Sequence, residues 1–345
     1  MRGSAWSGPL IAACASLVLI GLCELGTNIW IAHRGDPLDH ALRVIRADQA
    51  LGWRQKADLD ITFYGLPLHT NGSGFRAAPL ETFARRPGLK VLVLGPSSAF
   101  GWGVRDEETY AARLETILQG EPNHRQAAVF NAGQIGYSSW QGLKLFRAEL
   151  RPLKPGVVLI AYGVNDADRH RFFFDSPDPD RIELAKGRNG WGIAAQNALA
   201  RVSFFRVAVR GLHAAFGGLS SREVAVPGWR VSLDDLQENL RGLVRSVQDD
   251  GARAILLGTP FDREAFLQAP EPEAHRLADD LLDVNRALER VARDLSVECY
   301  DARSRLDLLN RSTEAFVDPI HPSAAGHAAI ARELATLIQG RAPDR

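Results

Sequence analysis

The sequence predicts an α/β chain: a three-layer α/β/α domain around a central parallel sheet, preceded by one transmembrane helix. Three observations carry this. Short apolar runs recur along the chain with amphipathic segments between them. The runs are apolar throughout rather than alternating, as strands covered on both faces are. Residues 3–23, "GSAWSGPLIAACASLVLIGLC", hold no charged side chain. A chain of 345 residues with 46% hydrophobic composition can fill the core of one large domain. Lys+Arg and Asp+Glu both count 41, so no excess charge points to nucleic acid or to an acidic partner.

The first element is residues 1–35, read as a membrane anchor. Past Glu24 the apolar character resumes in "LGTNIWIA". About twenty apolar residues cross a bilayer as a helix, and Trp6 and Trp30 fall where interfacial aromatics belong. A cleaved signal peptide, whose apolar region is shorter, is the alternative. Arg2 precedes the span, while His33, Arg34, Asp36 and Asp39 after it nearly cancel. The positive-inside rule then favours an inside N-terminus and an exported body. Cys14 and Cys23 fall in this segment, which leaves Cys299 alone in the body, with no intrachain disulfide and no metal-binding cysteine pair.

Residues 36–89 read as a short β-rich segment. Within it residues 59–65, "LDITFYG", alternate like a half-exposed strand, and "HTNGSGFR" reads as a glycine-rich turn. The main domain is placed at residues 90–340. Strands are expected at 91–94, 128–130, 157–162, 254–257 and 297–300. Helices are expected at 107–118, near 140–150, and at 273–295. Another follows Ser232, where Asp235 completes a capping-box-like pair and Leu233, Leu236, Leu240, Leu243 and Val247 share a face. The last, 322–338, opens on Pro322 in its first turn. Residues 169–230, rich in Pro, Gly and Arg, break the rhythm as an insertion. Their stretch 199–216, "LARVSFFRVAVRGLHAAF", reads as a lid, a membrane-surface helix or an ordinary amphipathic helix.

Ligands of open parallel sheets bind at the carboxyl ends of the strands. Four such places carry polar or glycine-rich turns: "VLVLGPSSAFGWGV" with Ser97, "FNAGQIGYSSW" with Gly133 and Gly136, "AYGVNDA" with Gly163, Asn165 and Asp166, and "FVDPIHPSAAGH" with Asp318 and His321. Each alone is an ordinary turn. Together they supply what a nucleophilic serine needs. His321 is the candidate base for Ser97, and Asp318 the group that fixes its tautomer. The Ser97 and Gly136 backbone N–H groups and the Asn165 amide are candidate oxyanion donors. Ser98 reads as a capping or turn residue, and His327 as a surface or packing residue. Asp166, Asp168 and His170, interleaved with Arg169 and Arg171, read as a solvated loop rather than a metal site. The Gly-x-Ser-x-Gly elbow is absent, since Gly95-Pro-Ser-Ser-Ala lacks its second glycine.

This constellation resembles the SGNH, or GDSL-type, hydrolase superfamily across roughly residues 90–339. Gly95-Pro96-Ser97 with "FGWGV" matches the first block, Gly136 the second, Gly163 to Asp166 the third, and Asp318 to Pro322 the last. "TNGSGFR" and the N-terminal span are similar to a membrane-anchored bacterial branch. The resemblance implies a flavodoxin-like fold and ester hydrolysis through an acyl-serine, with no metal or organic cofactor. It implies a body outside the bacterial inner membrane, and as partner an O-acylated envelope carbohydrate or lipid. An O-acyltransferase with the same residues and a non-catalytic glycan-binding scaffold are the alternatives. Pro96 stands where the family has aspartate; proline removes its own N–H, not that of Ser97.

Overall fold

The computed structural model describes residues 7–34, 43–168, 190–216, 228–310 and 314–340. A single helix, Ser7–Arg34, opens the chain. Its Leu10, Ile11, Leu17 and Leu22 side chains are exposed. The stretch Gly8–His33 is long and apolar enough to cross a membrane, a test that a signal sequence also passes.

Two hairpins follow. Strands β1 (Ile45–Asp48) and β2 (Gly52–Gln55) pair antiparallel, as do β3 (Asp60–Phe63) and β4 (Leu66–His69). The second replaces the single strand expected at 59–65. Tyr64 and Gly65 turn the chain between its strands, both at positive φ (49° and 78°), the geometry of a two-residue hairpin loop.

The main sheet has β5 (Lys90–Leu94), β6 (Ala128–Asn131), β7 (Val157–Ile160), β8 (Arg253–Leu257) and β9 (Glu298–Tyr300). All pair in parallel, in the order β6-β5-β7-β8-β9. Numbered from β5, that is the flavodoxin-like order 2-1-3-4-5, whose ligand crevice opens where the order reverses, between β5 and β7. Leu92, Leu94, Phe130, Val158, Ile160 and Leu256 face one apolar layer, with helices Leu233–Asp249 and Pro272–Asp294. Val91, Val93, Leu159, Ile255 and Leu257 face the other, with helices Tyr110–Gln119 and Ala324–Ile338. Each such buried Leu, Ile or Val contributes about 2 kcal/mol of gross transfer energy against chain entropy.

Caps set the boundaries that periodicity missed. The helix expected at 107–118 begins at Tyr110, because the Thr109 hydroxyl accepts the Ala112 N–H at 3.2 Å. The Ser232 hydroxyl accepts the Asp235 N–H at 3.1 Å, as the sequence led one to expect. The last helix starts at Ala324 rather than Pro322, because Ser323 is its cap and accepts the Gly326 N–H at 3.2 Å. Pro322 is left outside, in a short antiparallel pair of β10 (Phe316–Asp318) and β11 (His321–Pro322). The insertion contains helices Gly190–Leu199 and Ser203–Phe216; residues 169–189 and 217–227 lie outside the described residues.

Candidate active site

Strand β5 delivers the chain to Gly95 and Pro96, and the short helix Ser97–Phe100 begins at once. Pro96 is extended (φ −86°, ψ −152°), and its carbonyl accepts the N–H groups of Ala99 and Phe100 at 3.1 and 2.9 Å. Proline therefore costs this turn nothing: the group it uses is the carbonyl. A Cβ on Gly133 would stand 2.3 Å from the Phe100 nitrogen, so glycine there lets the turn after β6 close against the Ser97 helix.

Ser97, His321 and Asp318 come together. The Ser97 hydroxyl donates to His321 Nε2 at 2.7 Å, and His321 Nδ1–H donates to Asp318 Oδ2 at 2.7 Å. The other Asp318 oxygen accepts the backbone N–H groups of Ile320 and His321 at 3.0 and 2.9 Å. Burial pushes the Asp318 carboxyl up, but its bond to His321, the imidazole charge and the two backbone bonds together hold it below the ordinary range. Ser97 and His321 are both buried. The carboxylate thus orients the ring so that Nε2, with its lone pair, faces the hydroxyl. The Trp102 indole stacks on the same ring, centroids 5.4 Å apart and planes at 17°.

The three oxyanion candidates lie on the neighbouring turns. Among the described residues, neither the Ser97 N–H nor the Gly136 N–H has an acceptor. Buried donors left in this way call for an explanation, and both residues are buried. Gly136 sits at φ 75° while its carbonyl accepts Arg230 Nη1 at 2.7 Å. Asn165 uses one amide hydrogen on the Tyr137 carbonyl at 3.0 Å, which fixes its side chain and leaves the second.

Sequence reasoning missed what holds these turns. The Trp53 indole N–H donates to the Ile135 carbonyl at 2.8 Å, and the Tyr137 hydroxyl to the Trp53 carbonyl at 2.6 Å, so the β1–β2 hairpin braces the Gly136 turn. Arg76 is buried and donates to the carbonyls of Gly101 (2.6 Å), Val104 (2.7 Å) and Phe100 (3.2 Å), with Asp106 as its counter-ion. It pins the loop that carries Trp102. The only sequence signal for either was proximity to a glycine-rich turn, which names no contact.

Three expectations are corrected. Asp166 is not on a solvated loop: it is fully buried and accepts the Ser139 N–H (3.0 Å) and hydroxyl (2.5 Å), and burial pushes its carboxyl up to about 6. Asp168 is half-buried, and Arg169, His170 and Arg171 lie outside the described residues. His327 is not at the surface but fully buried, stacked on Tyr110, with Nδ1 accepting the Tyr110 N–H at 3.0 Å. The Ser98 hydroxyl makes no hydrogen bond among the described residues, because Pro96, at the cap position, satisfies the helix through its carbonyl. Among the described residues no three His, Cys, Asp or Glu side chains could jointly hold a metal ion.

A parallel α/β/α sheet with a hydrogen-bonded serine, histidine and aspartate beside its switch point has the build of a serine hydrolase. The chain matches the GDSL-like Lipase/Acylhydrolase family over residues 93–329 and belongs to it; it is an SGNH-type ester hydrolase. Solved structures similar to it include a lipase/acylhydrolase from Enterococcus faecalis, 17% identical, covering 74% of this chain and 99% of that one at TM-score 0.47. Another is the acetylxylan esterase Axe2 from Geobacillus stearothermophilus, 19% identical, covering 74% and 95% at TM-score 0.45. No curated protein matches the chain.

Proposed function

We propose that the protein is a membrane-tethered ester hydrolase that works through an acyl-serine at Ser97. The observation that carries this reading is the unbroken relay from the Ser97 hydroxyl through His321 to Asp318, both links at 2.7 Å. His321 Nε2 takes the hydroxyl proton as Ser97 Oγ bonds to the ester carbonyl carbon. The Ser97 and Gly136 N–H groups and the Asn165 amide receive the oxyanion. His321 then passes its proton to the leaving alcohol oxygen as the carbon–oxygen bond breaks. A water, deprotonated by the same nitrogen, releases the free acid and restores Ser97. Asp318 stays ionised throughout and stabilises the imidazolium.

The substrate is an O-acylated carbohydrate or lipid of the bacterial envelope, met by a body held outside the inner membrane. What favours a retained anchor over a cleaved signal peptide is Glu24. Its carboxylate accepts the backbone N–H groups of Ser203 and Phe204 at 2.9 and 2.8 Å, capping the insertion helix Ser203–Phe216. Cleavage after the span would remove both bonds. Protein recovered from cells should start at Met1 and stay in the membrane fraction through a carbonate wash; a soluble product beginning after the span would establish the signal peptide. Free acid released from an ester with no added acceptor, and lost in Ser97→Ala, tests the chemistry. Product that forms only when a sugar hydroxyl is supplied would make the protein an acyltransferase instead.

A further inference from the structure

The aromatic side chains beside His321 form a row that the acyl-transfer chemistry does not use. Trp102 lies flat on the imidazole. Tyr64 lies against Trp102 with ring centroids 5.0 Å apart, and Phe63 backs both at 4.9 Å. Trp102 is half-buried and Tyr64 49% exposed, so the row runs from the reacting groups to solvent. Its two outer members arrive from distant segments, the loop after the Ser97 helix and the β3–β4 turn. Each is held firmly, Trp102 by the Arg76 bonds to its neighbours' carbonyls.

Tyr64 is an odd choice for its position. It occupies the first place of a two-residue hairpin turn at φ 49°, where asparagine, aspartate or glycine is preferred and a bulky side chain is rare. A residue in an unfavourable backbone region is a pointer to function when the side chain it carries is presented at a site. Here that side chain extends the ring row next to the candidate base.

The side of the ester it faces follows from the mechanism. His321 returns its proton to the leaving alcohol, so the alcohol half of the ester lies next to the imidazole, while the acyl oxygen lies toward the oxyanion donors. Trp102 and Tyr64 therefore flank the alcohol. We propose that they form a stacking subsite for a pyranose ring bearing the ester, which makes the substrate an O-acylated carbohydrate. A pyranose has an apolar C–H face that suits an open aromatic surface and a hydroxyl rim that stays hydrated. Tyr and Trp, each with an apolar body and a polar tip, match both. A fatty chain gains by being enclosed on all sides, which a half-exposed ring does not provide.

This rests on Ser97 being the nucleophile, and the test keeps the two apart. Tyr64→Asn puts a favoured residue in the turn, so the variant should unfold at a higher temperature than the wild type. At the same time, its kcat/KM for an O-acetylated methyl glucopyranoside should fall at least about 10-fold relative to its kcat/KM for triacetin, mainly through KM. An equal loss on both esters would overturn the subsite, as would a selective loss on ethyl octanoate, which would mark an acyl-chain site. So would wild-type cleavage of triacetin without cleavage of the pyranoside. If no ester is cleaved, the nucleophile reading falls by itself. The subsite is then decided by calorimetric titration of acetylated cello-oligosaccharide into wild type and Tyr64→Asn: binding weakened by the substitution supports it, and equal or absent binding overturns it.

Discussion

A serine hydroxyl attacks a carbonyl only while a base takes its proton, and two adjacent hydroxyls here differ in that one respect. Ser97 lies 2.7 Å from an imidazole nitrogen, while Ser98, next along the same helix, has no hydrogen-bond partner among the described residues. Ser97→Ala should therefore lower turnover by at least about 10³-fold with folding intact, and Ser98→Ala by less than about threefold. Comparable losses from the two, read as kcat on one ester, would move the nucleophile. Acid should switch the enzyme off through His321 alone. Asp318 is held below the ordinary carboxylate range, so it stays charged while the imidazole takes up a proton. The acid limb of kcat/KM should then fit one proton; a two-proton limb would mean that Asp318 titrates alongside. Asn165→Ala removes one oxyanion donor and should cost about 10²-fold in kcat with little change in KM.

At the scale of elements, the fold was legible where burial dictates pattern. Strand β5 reads Lys-Val-Leu-Val-Leu and is buried from its second residue on, so no other assignment fits it. The candidate site was legible for the same reason, since its glycines and polar groups follow apolar strands whose ends are easy to find. What stayed hidden depends on contacts remote in sequence or on rare backbone states. Alternation carried the expected strand straight through Tyr64, because nothing local announces a tyrosine at positive φ. Arg76 looked like the polar end of a turn, yet it holds carbonyls from three residues 24 to 28 positions away. Its planar fork supplies several donors at once, which a lysine cannot reproduce. Arg76→Lys should lower stability by at least about 2 kcal/mol. It should also reduce kcat, because the loop it pins carries Trp102 against His321. Urea unfolding and steady-state kinetics on the same protein would check both; normal kinetics with lowered stability would confine Arg76 to a structural role.

The whole molecule carries two buried titratable groups that act on its stability in opposite senses. Burial, reinforced by the charges of Arg76, His321 and Arg113, depresses the His327 imidazole from 6.5 to about 3. The folded state therefore keeps His327 neutral while the unfolded chain takes up a proton, so stability is lost as pH falls from about 6.5 toward 3, by at most roughly 5 kcal/mol. Asp166 works the other way. Burial raises it from 3.8 to about 6, so the folded state holds the proton longer than the unfolded chain does, and stability grows by roughly 3 kcal/mol as pH falls through that window. Between about pH 6 and 4 the two slopes oppose each other, and the net loss should concentrate below about pH 4. His327→Asn separates them. Its amide oxygen can still accept the Tyr110 N–H while carrying no proton equilibrium. The loss of the ring lowers stability at every pH, so the diagnostic is the slope rather than the level. In nonionic detergent, the urea midpoint of the variant should rise as pH falls from 6 to 4, following Asp166, where the wild type stays nearly flat. A variant whose midpoint tracks the wild type across that range would mean that His327 gains its proton without unfolding, and that another group drives the acid transition.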